Sequence, residues 1–384
     1  MSSAHAEAES IKGTAQREDD PRRPLRLIAL GGRLDSPTDG VRDYCELLSK
    51  AFARRGDHLE IVQLRWEIHG WWNALRTLWN ESRAWKKRIV LLQYTALMWS
   101  RRGFPFGALA VLAILKFRRV RLCVVFHDAE YAPARGVLRR LRVACQNFVL
   151  RIAFRCAEFP ALTVPASQLN WLPRSSARAV FIPVGANFPA AGAVSVRTEL
   201  PAIPTVAVFG VTGGAHAIPE ARNIAHAMKH AAARIMNIRL AVFGRGALEA
   251  ESALRNELGG SNVGLRVFGV LPGDEVREHL TQAGVLLFVR GPISSRRGSA
   301  IAGIACGLPV VGYRGPETAP PITEAGVLLV ESNDREALAE SLVRVLTNQE
   351  LYAELSQRSV AAAEKYFSWD SIAAQFAQAF TGRE

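Results

Sequence analysis

Between positions 290 and 311 the chain reads RGPISSRRGSAIAGIACGLPVV. An apolar run at 284–289 feeds a loop holding Ser294, Ser295, Arg296, Arg297, Gly298 and Ser299, and a helical pattern begins directly afterwards. Exposed amides at a helix start, the positive end of the helix dipole, hydroxyl donors and two guanidinium groups form a cradle for a phosphate or diphosphate. A solvated basic loop is the plainer alternative. Two adjacent arginines do not readily face one ligand, so one of the pair is expected to serve the structure. Arg290, at the end of the preceding strand, adds a further cation. A weaker nucleotide-side signal is Gly244-Arg245-Gly246, which also follows an apolar strand.

The elements that must position these residues alternate regularly. Short apolar runs at 25–31, 59–64, 89–93, 120–126, 161–164 and 179–183 are separated by helical patterns, the first through Val41, Leu47, Leu48, Ala51 and Phe52. After a stretch rich in Pro, Gly and small residues, a second series follows at 205–210, 239–244, 263–268, 284–289, 309–313 and 327–330. Strands alternating with helices in both halves predict an α/β protein of two Rossmann-like domains, with ligands at the carboxyl ends of the strands. The expected boundaries are a polar tail at 1–24, a first domain at 25–188, a linker at 189–204, a second domain at 205–366 and a last helix at 367–384 that crosses back to the first domain. The active site is expected in the cleft between the domains.

Composition agrees with two folded domains: 384 residues, 49% hydrophobic and 22% charged. No apolar run reaches the ~18–20 residues that span a bilayer. Residues 1–23 lack a basic start followed by an apolar stretch, and the five cysteines form no CxxC pair, so a reducing, cytoplasmic setting without a metal is expected. The net charge of +13 is confined to the first half, where residues 1–190 carry 30 basic and 16 acidic side chains. Seven of the eight tryptophans lie there too, with Trp71, Trp72, Trp79 and Trp85 among Arg76, Arg83, Lys86, Lys87 and Arg88. Such a surface suits an anionic headgroup layer. Equally, Trp71, Leu75, Leu78 and Trp79 fit a buried helical stripe. Val137, Leu141, Cys145, Phe148 and Ile152 form a second stripe, surrounded by Arg135, Arg139, Arg142, Arg151 and Arg155; it either lies on a membrane or, as the sequence slightly favours, packs on the sheet. Nucleic acid is set aside, because no known nucleic-acid module is present.

The segment Ala305-Cys306-Gly307-Leu308-Pro309-Val310-Val311, with Gly315-Pro316-Glu317 and the closing Phe367-Ser368-Trp369, resembles the donor half of GT-B glycosyltransferases of retaining family 4. Asp39-Gly40, Arg54-Arg55-Gly56-Asp57-His58, Gln93-Tyr94 with Arg101-Arg102-Gly103, and Phe126-His127-Asp128 resemble the acceptor half of bacterial members that build surface polysaccharides. The resemblance implies transfer of a sugar from a nucleotide diphosphate sugar to a polyprenyl-linked or saccharide acceptor, with no metal or other cofactor, by a cytoplasmic enzyme at the inner face of an anionic membrane. It makes His127, Asp128 and Glu317 the candidate catalytic residues. Gly210, Gly213, Arg245, Arg290, Ser294, Ser295, Arg296, Arg297, Gly298 and Ser299 are candidate donor contacts. Asp39, Gly40, Tyr94, Arg101 and Arg102 stand on the acceptor side, the two arginines suited to an acceptor phosphate. The family's two donor-site glutamates are replaced by Ser294 and Ala302, and its usual Arg and Lys near 211–229 are not evident, so the diphosphate contact is expected to have moved to Arg296 or Arg297 with Arg290. These departures leave room for a non-catalytic sugar-binding scaffold, or for a GT-B nucleotide-sugar epimerase.

Overall fold

The computed structural model describes residues 24–33, 40–86, 88–128, 136–172, 176–188 and 194–382. The first six strands are β1 Arg26–Gly31, β2 His58–Gln63, β3 Ile89–Tyr94, β4 Arg121–Phe126, β5 Phe159–Leu162 and β6 Val180–Phe181. They form one parallel sheet in the order β2-β1-β3-β4-β5-β6. A second parallel sheet takes β7 Thr205–Phe209, β8 Arg239–Phe243, β9 Gly264–Val267, β10 Val285–Pro292, β11 Val310–Tyr313 and β12 Val327–Val330 in the order β12-β11-β10-β7-β8-β9. Each of the twelve strands overlaps an apolar run read from the sequence, although β5 starts two residues before its run and β10 continues through Arg290 to Pro292. Such runs are apolar on both faces because helices cover both sides of a parallel sheet; every residue of β3 is buried. Strand order reverses between β1 and β3, and again between β7 and β10. Those two switch points are where ligands enter doubly wound sheets.

The helices are α1 Gly40–Arg54, α2 Trp66–Glu81, α3 Phe106–Phe117, α4 Val137–Cys156, α5 Ala217–Ala232, α6 Ala247–Leu258, α7 Gly273–Gln282, α8 Gly298–Ala305, α9 Arg335–Thr347, α10 Gln349–Ala362 and α11 Trp369–Thr381. Side chains of α2, α3 and α4 share one core on the outer face of the first sheet, while the apolar face of α1 packs on the opposite face. Among the described residues no helix is long and apolar enough to cross a membrane. The sequence expectation for α4 is corrected. Its buried side is Gln146, Val149, Leu150, Ala153 and Phe154, whereas Val137 is 85% and Leu141 54% exposed and Phe148 also faces outward. Arg135 lies outside the described residues. On α2, Ala74 and Leu78 are buried, Trp71 and Leu75 half-buried, and Trp72 is 81% exposed, so that helix serves both core and surface.

The core beneath α1 runs without interruption into α8 and α11 of the second half. Trp369 opens α11, after Ser368 has capped it by accepting a hydrogen bond from the Ser371 amide at 3.1 Å. The indole is buried, donates to the Ala186 carbonyl at 2.9 Å and meets Tyr44 of α1 edge-on at 5.3 Å. Gly185 leaves room for it, since a Cβ there would lie 2.7 Å from the ring. Farther along, Phe380 meets Phe159 of β5 at 5.2 Å and Asp370 accepts from Arg54 at 2.7 Å. Replacing Trp369 with Ala removes a buried aromatic and leaves a void between two elements; a loss of about 3–5 kcal/mol is expected, read as a lower urea midpoint, and an unchanged midpoint would contradict this account of the anchor.

Candidate active site

The carboxyl ends of the two sheets face a cleft with two lobes. The larger, about 570 Å³, is lined from the second half by Gly210, Gly244, Arg245, Arg290, Arg297 and Ser299, and from the first by Gly40, Asp43 and Lys50 of α1. The smaller, about 370 Å³, is lined by Tyr44, Thr95, His127 and Asp128, with Gly185 and Trp369 behind them. Gly40, Asn187, Arg245, Arg296 and Gly298 border both, so the lobes form one continuous cleft.

Backbone geometry makes the larger lobe. Gly210 directly follows β7 with φ +82°, and a Cβ there would stand 2.9 Å from Arg290 Nη1. Gly246 follows β8 with φ +73°, and its Cβ would strike the Val211 carbonyl at 2.2 Å. Only glycine allows both turns to fold this closely beside the arginines. Arg290 and Arg297 each bury an Nε that has no hydrogen-bond partner among the described residues. Burial lowers the Arg290 guanidinium, Glu220 opposing and Arg245 adding to the effect. Burial also pulls Arg297 down to about 10, assisted by the charge of Arg296 and opposed by Glu317. Both stay charged at neutral pH. Two partly desolvated guanidinium groups with unspent Nε donors, beside the N-terminus of α8, have the chemistry to hold an anion.

The adjacent arginines divide their work. Arg296 turns to Glu317 and donates from Nε to Oε2 at 2.7 Å and from Nη2 to Oε1 at 2.9 Å. Burial acts to raise the Glu317 carboxyl, but the hydrogen bonds and charge of Arg296, together with Arg297, hold it below the usual carboxylate range. Glu317 therefore sits behind Arg296 and not in the cleft wall. Ser295 is buried and donates its hydroxyl to the Thr163 carbonyl at 2.6 Å, so it joins the halves and is not available to a donor. Ser294 is also buried, away from both lobes, and Gly213 packs against Glu249.

In the smaller lobe, His127 Nε2 stands 2.8 Å from the Gln93 amide oxygen, and its ring meets Tyr44 edge-on at 5.0 Å. An amide oxygen only accepts, so Nε2 carries the proton and Nδ1 is left as an acceptor. Burial lowers the imidazole to about 4, which keeps it neutral at physiological pH. Asp128 accepts from the Ala96 amide at 2.6 Å and shapes the 95–98 loop. Tyr94 is fully buried in the core under α2 and α3, so it does not touch an acceptor; its neighbour Gln93 points to the site instead. Arg101 and Arg102 lie outside the cleft on the surface, and Asp39 falls outside the described residues. Sequence reasoning missed Asn187, Asp43 and Lys50. Asn187 abuts Gly298, where a Cβ would lie 2.4 Å from its Oδ1. For α1 a signal existed: polar residues at 43, 46 and 50 share one helical face opposite the buried one.

Residues 191–348 match the family model described as glycosyl transferases group 1. The second half therefore carries a group 1 glycosyltransferase domain, and the whole chain has the GT-B fold. Solved structures agree on the fold. Sucrose-phosphate synthase from Thermosynechococcus elongatus is 16% identical with TM-score 0.64, over 93% of this chain and 98% of that one. A glycosyltransferase from Rickettsia africae is 12% identical with TM-score 0.65, over 94% and 100%. The Anabaena protein HepE, solved with UDP and glucose, is 12% identical with TM-score 0.60, over 93% and 100%. A search of curated protein sequences returned no match. The matched segment holds all four arginines that line the larger lobe, Arg245, Arg290, Arg296 and Arg297, while His127 and Asp128 come from the half outside the match.

The buried imidazole has a stability consequence of definite sign. His127 is neutral in the fold down to about pH 4, whereas an unfolded chain protonates it near its ordinary 6.5. Its contribution is present above pH 6.5 and is lost as pH falls through that window toward 4. Urea midpoints of the wild type are expected to fall more steeply between pH 6.5 and 4 than those of His127→Gln; parallel curves would rule this out.

Proposed function

We propose that this glycosyltransferase takes a sugar from a nucleotide diphosphate sugar and passes it, with retention of anomeric configuration, to a lipid-linked or saccharide acceptor in bacterial surface-polysaccharide synthesis. The reading rests above all on Arg290 and Arg297: half-buried guanidinium groups, each with a buried Nε donor unspent among the described residues, at the switch point of the second sheet, beside the start of α8. The diphosphate lies against them in the larger lobe. As the glycosidic bond breaks, charge grows on the leaving diphosphate and the sugar becomes oxocarbenium-like, and preorganised cations stabilise that state more than the ground state. The arginines supply the positive charge that a metal ion provides elsewhere, so the reaction is expected to run without one.

The sugar then reaches the smaller lobe, where neutral His127 offers Nδ1 to a hydroxyl. Its low pKa excludes it as a general acid at neutral pH. The acceptor enters from the first half, past the 95–98 loop that Asp128 holds, and gives its proton to the departing diphosphate on the same face. The basic first half and the outward apolar side chains of α2 and α4 favour a cytoplasmic enzyme resting on an anionic membrane.

Calorimetric titration with UDP, GDP, ADP and CMP selects the nucleotide. For the diphosphate that binds, Arg297→Ala and Arg290→Ala are each expected to weaken affinity by about 10–100-fold, the worth of a charged hydrogen bond. Arg296→Ala is expected to act less, through the Glu317 pair. Unchanged affinity in both Arg290→Ala and Arg297→Ala would remove the diphosphate from this lobe. Tight nucleotide binding without sugar transfer to any acceptor would leave a sugar-binding scaffold.

A further inference from the structure

On the outer side of the first half a groove of about 520 Å³ lies between α2 and the segment from Trp99 to Gly107. Its construction is unusual. Gly70, with φ +74°, breaks α2 between Trp66 and Trp71. Five residues apart on an unbroken helix, two side chains point some 140° from each other; here the two indoles stack at 4.8 Å and 12°. Gly107 admits the second one, because a Cβ at that position would lie 2.1 Å from the Trp71 ring. Trp99, Phe104 and Phe106 complete the aromatic wall, and Arg101 and Arg102 stand on its rim.

The wall between the groove and the cleft is formed at Met98, and an apolar surface adjoins the groove's other end. The Met98 carbonyl accepts from the Trp66 indole at 3.0 Å on the groove side and from the Arg33 amide at 2.9 Å on the cleft side. Glu67 pairs with Arg33 at 3.2 Å and with Arg101 at 3.0 Å, so its charge is met by cations at both ends of the same short path. Outward, the Arg142 guanidinium lies 6.0 Å from the Phe104 ring, which brings the start of α4 to the groove. There the exposed side chains are Phe106, Leu138 and Leu141 with Arg102, Arg139 and Arg142. An aromatic trough rimmed by guanidinium groups and continuous with an apolar, basic surface suits one kind of molecule: an amphiphile with a long apolar chain and an anionic phosphate head.

We infer that this groove holds the lipid phosphate part of the acceptor, with the chain along Trp66, Trp71 and Phe106, the phosphate at Arg101 and Arg102, and the reacting end directed past Met98 into the cleft. The inference rests on the proposed transfer reaction and narrows its acceptor to a lipid phosphate. It predicts binding by a surface that is physically separate from the nucleotide lobe.

Tryptophan fluorescence of the full chain, titrated with farnesyl phosphate, tests it directly. Farnesyl phosphate is expected to bind at least about tenfold more tightly than farnesol or inorganic phosphate, since both halves of the site contribute. Arg102→Glu and Phe106→Ser, both at exposed positions, are expected to weaken it by about tenfold or more while nucleotide binding on the same samples stays unchanged. Arg297→Ala is expected to do the reverse. Farnesyl phosphate affinity that is insensitive to Arg102→Glu and Phe106→Ser, or lost in Arg297→Ala, overturns the assignment. So does binding of phosphatidylglycerol vesicles, sensitive to Leu141→Glu, in a protein that ignores soluble farnesyl phosphate, because the surface would then be a membrane contact only. Failure of the wild type to bind any nucleotide would count against the transfer reaction and not against the groove.

Discussion

One buried hydroxyl ties the two halves of the enzyme to each other at the point where chemistry is expected. Ser295 donates to the Thr163 carbonyl at the end of β5, and its own carbonyl accepts from the Val184 amide at 3.0 Å. The loop that carries Arg296 and Arg297 is thereby built into the first sheet's edge, although its sequence belongs to the second. With the loop fixed at Ser295, the next two side chains must diverge, and each finds a separate task. Asn187, pressed against Gly298, closes the same junction from the end of the first domain. The separation of the two lobes, and the direction from which each ligand approaches, follow from this joint.

Charge is arranged around that joint in two layers. Inside the cleft, desolvation leaves Arg290 and Arg297 with donors that water cannot easily satisfy, a condition that an anionic ligand relieves. Arg296 is neutralised by Glu317, so the loop presents one free cation where its sequence contains two. Outside, the arginines of α4 and of the 101–102 turn are solvated, and ion pairs at that level contribute little to stability. Their effect falls on what approaches the first half and at what rate.

Much of this was legible in the sequence. The strands announced themselves as apolar runs bounded by Gly and Pro, and the cluster of cations before α8 was visible as a strand, a loop of hydroxyls and arginines, and a helix start. The limits have physical causes. In β3 both faces are buried, so period-two alternation gives no sign that Gln93 and not Tyr94 turns to the site. On α4 a helical stripe was evident, but periodicity identifies a face and not its neighbour; the sheet took the side with Gln146, Val149 and Ala153 instead. Glu317 and Arg296 lie 21 residues apart, and their pairing depends on how β10 and β11 align. The groove depends on a break at Gly70 and on a ring passing over Gly107, contacts between distant segments that no local pattern encodes.

The return of α11 to the first half separates the boundary in space from the boundary along the chain. The wall formed by Tyr44, Leu48 and Phe52 on α1 is covered by side chains that are synthesised more than 300 residues later. A ribosome that has completed the first sheet therefore releases a half with an open apolar flank, and the flank closes only when the last helix emerges. Exchanging first halves between proteins of this fold by cutting at the linker would sever that cover from its wall, so the unit that can be exchanged consists of the first half together with α11, two pieces far apart along one polypeptide.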